Sequence, residues 1–445
     1  MFALVTAVMS LQSIAASYSA EGKDHVFKFD PPDWTAYTHE VTKVKEKDMG
    51  DPGVHKDAGK AEAVVFIRKT DDGYTVRHHI RELSLERNGR KVDNPVFDVM
   101  KGLDVWMYLD ADGKLLSIEG YESMFDIIKE KFPPEVGRRL SALIDVELLT
   151  QKEKTEWDGR IGSFVGIGFN VGDILLASDN FNMPPARQVK YYTGIEFSEM
   201  EACEDKECVR IRFKYNTDAG NLASFLNMKL DEFKDPADEI PEASGIEISG
   251  EGSRLIDPDT MLIYSETISR DIKTEMIIPG SGAVETRIKE TEEHRFDYER
   301  GKSRFTSLVS DAVFKKLDGM NVEDLEEPDR VFVCVWVTDG EVNKGGFGQF
   351  YFNSSGELAV EATAAYEAIG AAGMADIIRR ANSVFPDGRP PKDRDRRIDL
   401  LDALSDEDEA GLSRLDNEYY EIEENPDHLL FEYIKKNADH FLEQN

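Results

Sequence analysis

The sequence predicts an α+β protein, with a β-rich antiparallel N-terminal domain carrying a few helices and an all-α C-terminal domain behind it. Three observations support this. Apolar and polar residues alternate with period two at intervals between Glu21 and Arg300, glycine-bearing turns punctuate the alternation, and from about Phe305 the apolar period becomes that of a helix. With 445 residues, 40% of them hydrophobic, the chain can bury sizeable cores and should divide into two or three domains. Asp plus Glu number 88 against 54 for Lys plus Arg, a net charge of −34. Such an excess repels nucleic-acid phosphate and anionic lipid headgroups, which argues against direct DNA or RNA binding.

The first segment, Met1 to Ala20, holds no charged residue and is dominated by Ala, Val, Leu, Ile and Met before the small residues that precede Glu21. It reads as a signal peptide over residues 1–20, although no Lys or Arg precedes the apolar stretch; the alternative is a buried N-terminal helix or strand. Ser10, Gln12 and Ser13 make it too polar, and its length too short, to span a bilayer comfortably. No cysteine precedes Cys203, so a lipid anchor on an N-terminal cysteine is excluded. The expected location is periplasmic or secreted, with the cytoplasm as the alternative.

Residues 21–300 form the expected β-rich domain. Tyr74, Val76, His78 and Ile80 alternate, as do Leu262, Tyr264, Glu266 and Ile268, and Phe296 and Tyr298 close the series. Asp71-Asp72-Gly73, Asp110-Ala111-Asp112-Gly113 and Pro279-Gly280-Ser281-Gly282 supply turns. Helical spacing intervenes at Tyr121, Met124, Phe125 and Ile128, again at Val136, Leu140, Leu143, Ile144 and Leu148, and in a shorter helix over Leu222 to Phe233. Long strands with helices on one face make the layout similar to the half-open β-barrel of periplasmic lipoprotein carriers. Cys203 and Cys208 flank a four-residue segment before the alternating strand Val209, Ile211, Phe213, Tyr215. A four-residue turn sets the two sulfurs opposite each other, within disulfide range; two free thiols are the alternative. Cys334, in an apolar run, is expected as a buried thiol.

No catalytic residue, metal site or cofactor is predicted. Tyr108 to Glu119 has the spacing of a calcium loop but places Tyr108 where an Asp is required, so a hairpin turn explains it better. The glycines at 162, 166, 168 and 172 do not form a dinucleotide fingerprint, and no P-loop occurs. His78 and His79, two of eight scattered histidines, point to opposite faces of a strand and cannot share a metal in simple geometry.

Residues 301–445 form the expected helical domain, with Met374, Ile377, Ile378, Ala381 and Phe385 tracing one helix face and Leu430, Tyr433, Ile434 and Phe441 another. Val331 to Val337 favours a strand by propensity, yet so short an apolar run also suits a buried helix. Three spaced blocks carry a resemblance. The first, Glu341 to Gly356, includes Asn343, Gly345, Gly346, Phe347, Gln349, Phe350, Asn353 and Ser354; the second is Tyr366 to Gly370, and the third Leu415 to Tyr420. Together they resemble the bacterial DNA-mimic protein family, whose domain is otherwise one of unknown function, over about 305–441. Lys344 departs from the family's usual Asn. The resemblance implies a compact helical fold, with Val331 to Val337 as helix, and an activity in which carboxylates stand in for DNA phosphates before a transcription factor.

The residues permit that chemistry. Asp402, Asp406, Glu407, Asp408, Glu409, Asp416, Glu418, Glu421, Glu423, Glu424 and Asp427 oppose the single base Arg414. Duplex DNA carries a charge per about 1.7 Å and a helix rises about 1.5 Å per residue, so clustered acids approach that density. A solvated face that keeps the protein soluble is the plainer reading. The sequence therefore points to a non-enzymatic exported protein binding a basic protein partner through its C-terminal domain. A cytoplasmic DNA mimic sequestering a DNA-binding protein is the second reading, and a periplasmic carrier of an apolar ligand in the β-rich domain the third. Partner identity and oligomeric state are left open. If the N-terminal segment is a signal, protein recovered from its native host begins between Ala16 and Glu21; N-terminal sequencing that finds Met1 intact overturns export.

Overall fold

The computed structural model describes residues 20–48, 54–183, 187–217, 246–278 and 282–442. The expected signal segment at 1–19 and the expected helix at Leu222 to Phe233 lie outside the described residues. The chain divides into two compact units, Met1–Tyr298 and Glu299–Asn445. The first is an antiparallel sheet with helices and the second is helical, the α+β arrangement expected.

In the first unit the strands are β1 (His25–Val26), β2 (Thr35–Asp48), β3 (Val54–Thr70), β4 (Gly73–Arg87), β5 (Arg90–Lys91), β6 (Asp104–Asp110), β7 (Leu115–Glu119), β8 (Gly168–Phe169), β9 (Ile174–Met183), β10 (Arg187–Cys203), β11 (Lys206–Asn216), β12 (Ile246–Ile256), β13 (Ile263–Ile278) and β14 (Gly282–Asp297). The main sheet runs β7-β6-β4-β3-β2-β14-β13-β12-β11-β10-β9, with β5 on β4; β1 and β8 pair separately. It is two meanders joined along one ladder, in which Thr38 pairs with Asp297 and Asp48 with Arg287. Its end strands β7 and β9 do not pair with each other among the described residues, so the sheet stays open.

Local chemistry accounts for the turns. Asp71 and Asp72 link β3 to β4, and Asp110 accepts the backbone N–H groups of Asp112 and Lys114 at 3.1 and 2.9 Å. The calcium-like stretch is thus a hairpin whose carboxylate is spent on its own turn. Gly113 there has φ of +77°, and a Cβ on it would lie 2.4 Å from the Phe29 ring. The helices are α1 (Pro95–Met100), α2 (Ser123–Lys131), α3 (Pro134–Ser141) and α4 (Val146–Trp157), which continues into a π-turn at Asp158–Gly162. The single helical stripe expected from Val136 to Leu148 is corrected to two helices. Asp145 caps α4 by accepting the Leu148 N–H at 2.9 Å, and Leu143 and Leu148 end up exposed.

The Cys203 and Cys208 expectation is corrected in its geometry. The turn is Glu204-Asp205 alone, with Glu204 at φ 51°, so Cys203 pairs with Lys206 and Cys208 with Glu201. The two cysteines sit diagonally across the hairpin, their Cα atoms 5.8 Å apart, and are joined by a disulfide.

The main core gathers Phe27, Val65, Met107, Phe169, Ile195, Phe197, Ile211 and Phe213 between the sheet and the π-turn, and a second cluster seats α2 and α3 against β6 through Val105, Met124, Ile128 and Leu140. The same sheet face also buries charge. Glu266 on β13 accepts Arg254 Nε at 2.9 Å and Arg160 Nε, from the π-turn, at 2.8 Å. Burial works against ionising Glu266, but Arg254 and Arg160 together hold its carboxyl well below the usual carboxylate range. Nearby, Arg270 meets Glu290 at 2.6 Å and Glu292 at 3.1 Å, and Lys43 meets the same pair at 2.8 and 2.7 Å. Removing one member of such a cluster strands its partners in low dielectric. Glu266→Gln is expected to lower the unfolding free energy by about 3–5 kcal/mol in urea titrations; a loss under about 1 kcal/mol would mean water already screens the cluster.

Candidate interaction face

The second unit contains α5 (Tyr298–Leu317), α6 (Glu327–Phe352), α7 (Ala359–Ile369), α8 (Ala372–Asn382), α9 (Arg394–Asp402), α10 (Asp406–Glu421), α11 (Pro426–Lys436) and α12 (Ala438–Leu442). Val331 to Val337 lies inside α6. Phe332, Val333, Cys334 and Val335 are each no more than 1% exposed, because α6 packs against α7, α9, α10 and α11 and this part of it is buried. That explains a run with no polar face. Burial pushes the Cys334 thiol up to about 12.

The Glu341 to Gly356 block is where α6 breaks. Gly346 has φ of +72°, and a Cβ on it would fall 2.4 Å from the Asp416 carboxylate, which accepts the Phe347 N–H at 2.8 Å. Glu341 bridges the break, accepting Gln349 Nε2 at 3.2 Å and Asn353 Nδ2 at 2.6 Å. Phe347 and Phe350 are fully buried, while Asn343 and Lys344 are exposed. Ser354 opens a 3₁₀ turn, Ser354–Leu358. Gly356 leaves room for Arg397, to whose Nε a Cβ would approach within 2.6 Å. Arg397 is 0% exposed and donates to the carbonyls of Tyr351, Asn353, Pro391 and Lys392.

The acidic residues separate into two groups. Asp416 turns inward to the α6 break. Asp408 forms a capping box with Ser405, and Glu424 caps α8 by accepting the Gly373 and Met374 N–H groups at 2.9 and 2.8 Å. Glu418 pairs with Arg380 at 2.5 Å. The rest, Asp402, Asp406, Glu407, Glu409, Glu421, Glu423 and Asp427, are exposed and make no ion pair among the described residues. Asp402 to Glu409 cluster at the α9–α10 junction, and Glu421 to Asp427 at the α10–α11 junction. Burial raises the carboxyl of Asp339, which accepts the Tyr419 hydroxyl at 2.9 Å, above its ordinary value. Sequence alone did not show that Tyr366, Tyr419 and Asp339 join in one hydrogen-bonded chain, in which the two tyrosine oxygens stand 2.6 Å apart and Tyr419 donates to the Asp339 carboxyl.

A helical unit that spends some carboxylates on its own backbone and displays others unpaired is an acid-surfaced domain. Residues 323–437, about a quarter of the chain, match the model of the family described as DMP19-like protein. No curated protein matches the chain. Among solved structures, a lipovitellin chain is similar at 9% identity and TM-score 0.32, the match covering 61% of this chain and 25% of that one. The present chain thus spans about a quarter of its length. DynF from the dynemicin biosynthesis pathway of Micromonospora chersina is similar at 8% identity and TM-score 0.16, over 62% of this chain and 90% of that one. No helix among the described residues is long and apolar enough to cross a membrane.

Gly346→Ala is expected to destabilise the protein by about 1–2 kcal/mol for the left-handed backbone alone. Pairing it with Asp416→Ala, which removes the steric conflict, should recover part of that loss in a thermal double-mutant cycle. Strict additivity would mean the two positions do not meet.

Proposed function

We propose that the protein is a non-enzymatic, exported protein whose DMP19-like domain binds a basic protein surface that ordinarily accepts DNA phosphates. The observation carrying this reading is the exposed, unpaired subset Asp402, Asp406, Glu407, Glu409, Glu421, Glu423 and Asp427 on a domain of that family. Export is supported by the uncharged apolar Met1 to Ala20 segment and by the Cys203–Cys208 disulfide. A cytoplasmic DNA mimic keeps the same recognition chemistry and differs only in compartment. The apolar-carrier reading loses support. The sheet face that would enclose such a ligand buries Arg254, Glu266, Arg270, Glu290 and Glu292 beside a partly open cavity of about 60 Å³, and the larger open cleft of about 610 Å³ over β2 and β11–β14 is lined by Arg212, Lys214, Glu251, Thr267, Thr291 and Glu293 among others.

The test uses the full chain with Asp406, Glu407, Glu409, Glu421 and Glu423 changed to their amides, leaving Asp408, Asp416, Glu418 and Glu424 to their structural partners. Charges exposed to water are screened beyond about 8 Å at physiological ionic strength, so capture of a basic partner should fall steeply with salt. It should drop several-fold in the variant, with thermal stability little changed, and duplex DNA should compete for the partner. Salt-insensitive capture, or capture that DNA does not displace, overturns the mimic reading.

A further inference from the structure

We propose that His39 and His294 form an acid-sensitive latch that holds the π-turn at Asp158–Gly162 against the ladder joining β2 and β14. The two residues stand on these neighbouring strands with their rings stacked, centroids 5.3 Å apart, and Nε2 of His39 lies 3.0 Å from Nδ1 of His294. Arg160, from the π-turn, brings Nη2 to 3.2 Å from that same Nδ1 and is itself tied to Glu266 at 2.8 Å. Two ring nitrogens at hydrogen-bond distance share one proton, whichever ring carries it, and a second proton sets two N–H groups head to head. Nδ1 of His294 also faces a guanidinium, which can only donate. The contact therefore persists only while at least one of the two facing nitrogens is bare.

The surroundings do not welcome an imidazolium. Around the pair stand Glu153 and Glu156 from α4, Arg160 from the π-turn, His78 from β4, Glu266 from β13 and Glu292 from β14. Glu153 pairs with His78 at 3.1 Å, and Glu156 with Lys152 and Arg160, both at 3.6 Å. Glu266 holds Arg160 and Arg254, and Glu292 holds Lys43 and Arg270. Each carboxylate in reach is thus already engaged. Burial, with Arg160, His294 and His78, accordingly keeps His39 well below its ordinary value of 6.5, so the folded protein takes up this proton less readily than the unfolded chain. Stability is then whole above about pH 6.5 and falls as the pH drops below it. Burial opposes ionising Glu266 and Glu292, yet their partners hold both carboxyls well below 4.5, so these two weaken the fold only under more acid conditions.

The full chain is unfolded in urea at pH 7.5, 6.5 and 5.5, and amide hydrogen exchange of residues 157–162 is followed at the same values and corrected for the intrinsic rate. Between pH 7.5 and 5.5 His39 alone should raise the unfolding equilibrium constant about tenfold, and protection of residues 157–162 should fall with it. His39→Phe keeps the stack on Phe296, where the ring centroids are 4.6 Å apart, and takes up no proton. In this variant the rise should be about tenfold smaller than in the wild type, and protection of residues 157–162 should hold constant. His39→Gln, which also lacks a titrating ring, serves if the phenylalanine variant does not fold. The other histidines are common to all three chains, so the difference between wild type and variant reads His39. A wild-type chain in which either quantity stays constant from pH 7.5 to 5.5 overturns the latch, and so does a response that the variant shares in full.

Discussion

Glu266 ties the first unit together. It lies on β13 and takes Arg254 from the neighbouring β12 and Arg160 from the π-turn that closes α4. Arg254 also donates to the carbonyl of Arg160 at 2.9 Å, so one carboxylate fixes two strands and the helical layer in a single hydrogen-bonded group. The aromatic contacts below it follow from that placement. Trp157 sits one residue before the π-turn, donates to the Gly113 carbonyl at 3.0 Å and packs on Phe29. The cluster is a costly solution, because charges taken from water are repaid only when geometry and satisfaction are both good. Its return is directional: an apolar contact would tolerate sliding of the helix layer, whereas paired guanidinium and carboxylate groups do not.

The second unit solves a comparable problem without a carboxylate. Arg397 is fully buried among backbone carbonyls freed where α6 ends and where the chain approaches α9. Helix ends expose carbonyls that need donors, and a guanidinium offers five in a fixed plane. Gly356 is required beside it for space, and Glu341 spans the break with Gln349 and Asn353. The block that resembles the DNA-mimic family is therefore mostly scaffolding. It joins α6 to α10, which bears four of the exposed acids, through the Phe347 N–H to Asp416 contact.

Much of this was legible in the sequence. Clean alternation over Tyr74 to Ile80 placed β4, and the change of period near Phe305 placed the helical unit. Asp110 through Gly113 announced its hairpin. What escaped notice is physically coherent. Glu290, Glu292 and His294 alternate on β14 just as a wet face would, so period-two reasoning could not tell that they point inward. The partners that make their burial tolerable come from β2 and β13, far off in sequence. Leu143 and Leu148 misled in the opposite sense, as apolar residues at helical spacing that end up exposed where α3 gives way to α4 at the Asp145 cap. The list of eleven acids treated charge as display, because nothing in a one-dimensional reading shows that Asp416 and Glu424 face backbone N–H groups.

The ladder between β2 and β14 also has a consequence in time. β2 is made early, yet its partner on one side is the last strand of the sheet, so Thr38 waits for Asp297 while the intervening chain emerges. At ~5–20 residues per second that interval is on the order of tens of seconds, and pairing so distant in the chain is slow in any case. Through that interval β2 is an open edge, the kind that recruits foreign strands. Lys43, Lys45 and Lys47 alternate along it, and like-charged lysines on an edge discourage a second copy from docking there. When β14 arrives it brings Glu290 and Glu292, which bind Lys43 directly, while Lys45 also meets Glu290. In the finished sheet Lys43 and Lys45 thus find their counter-charges on β14, while Lys47 meets Asp57 on β3.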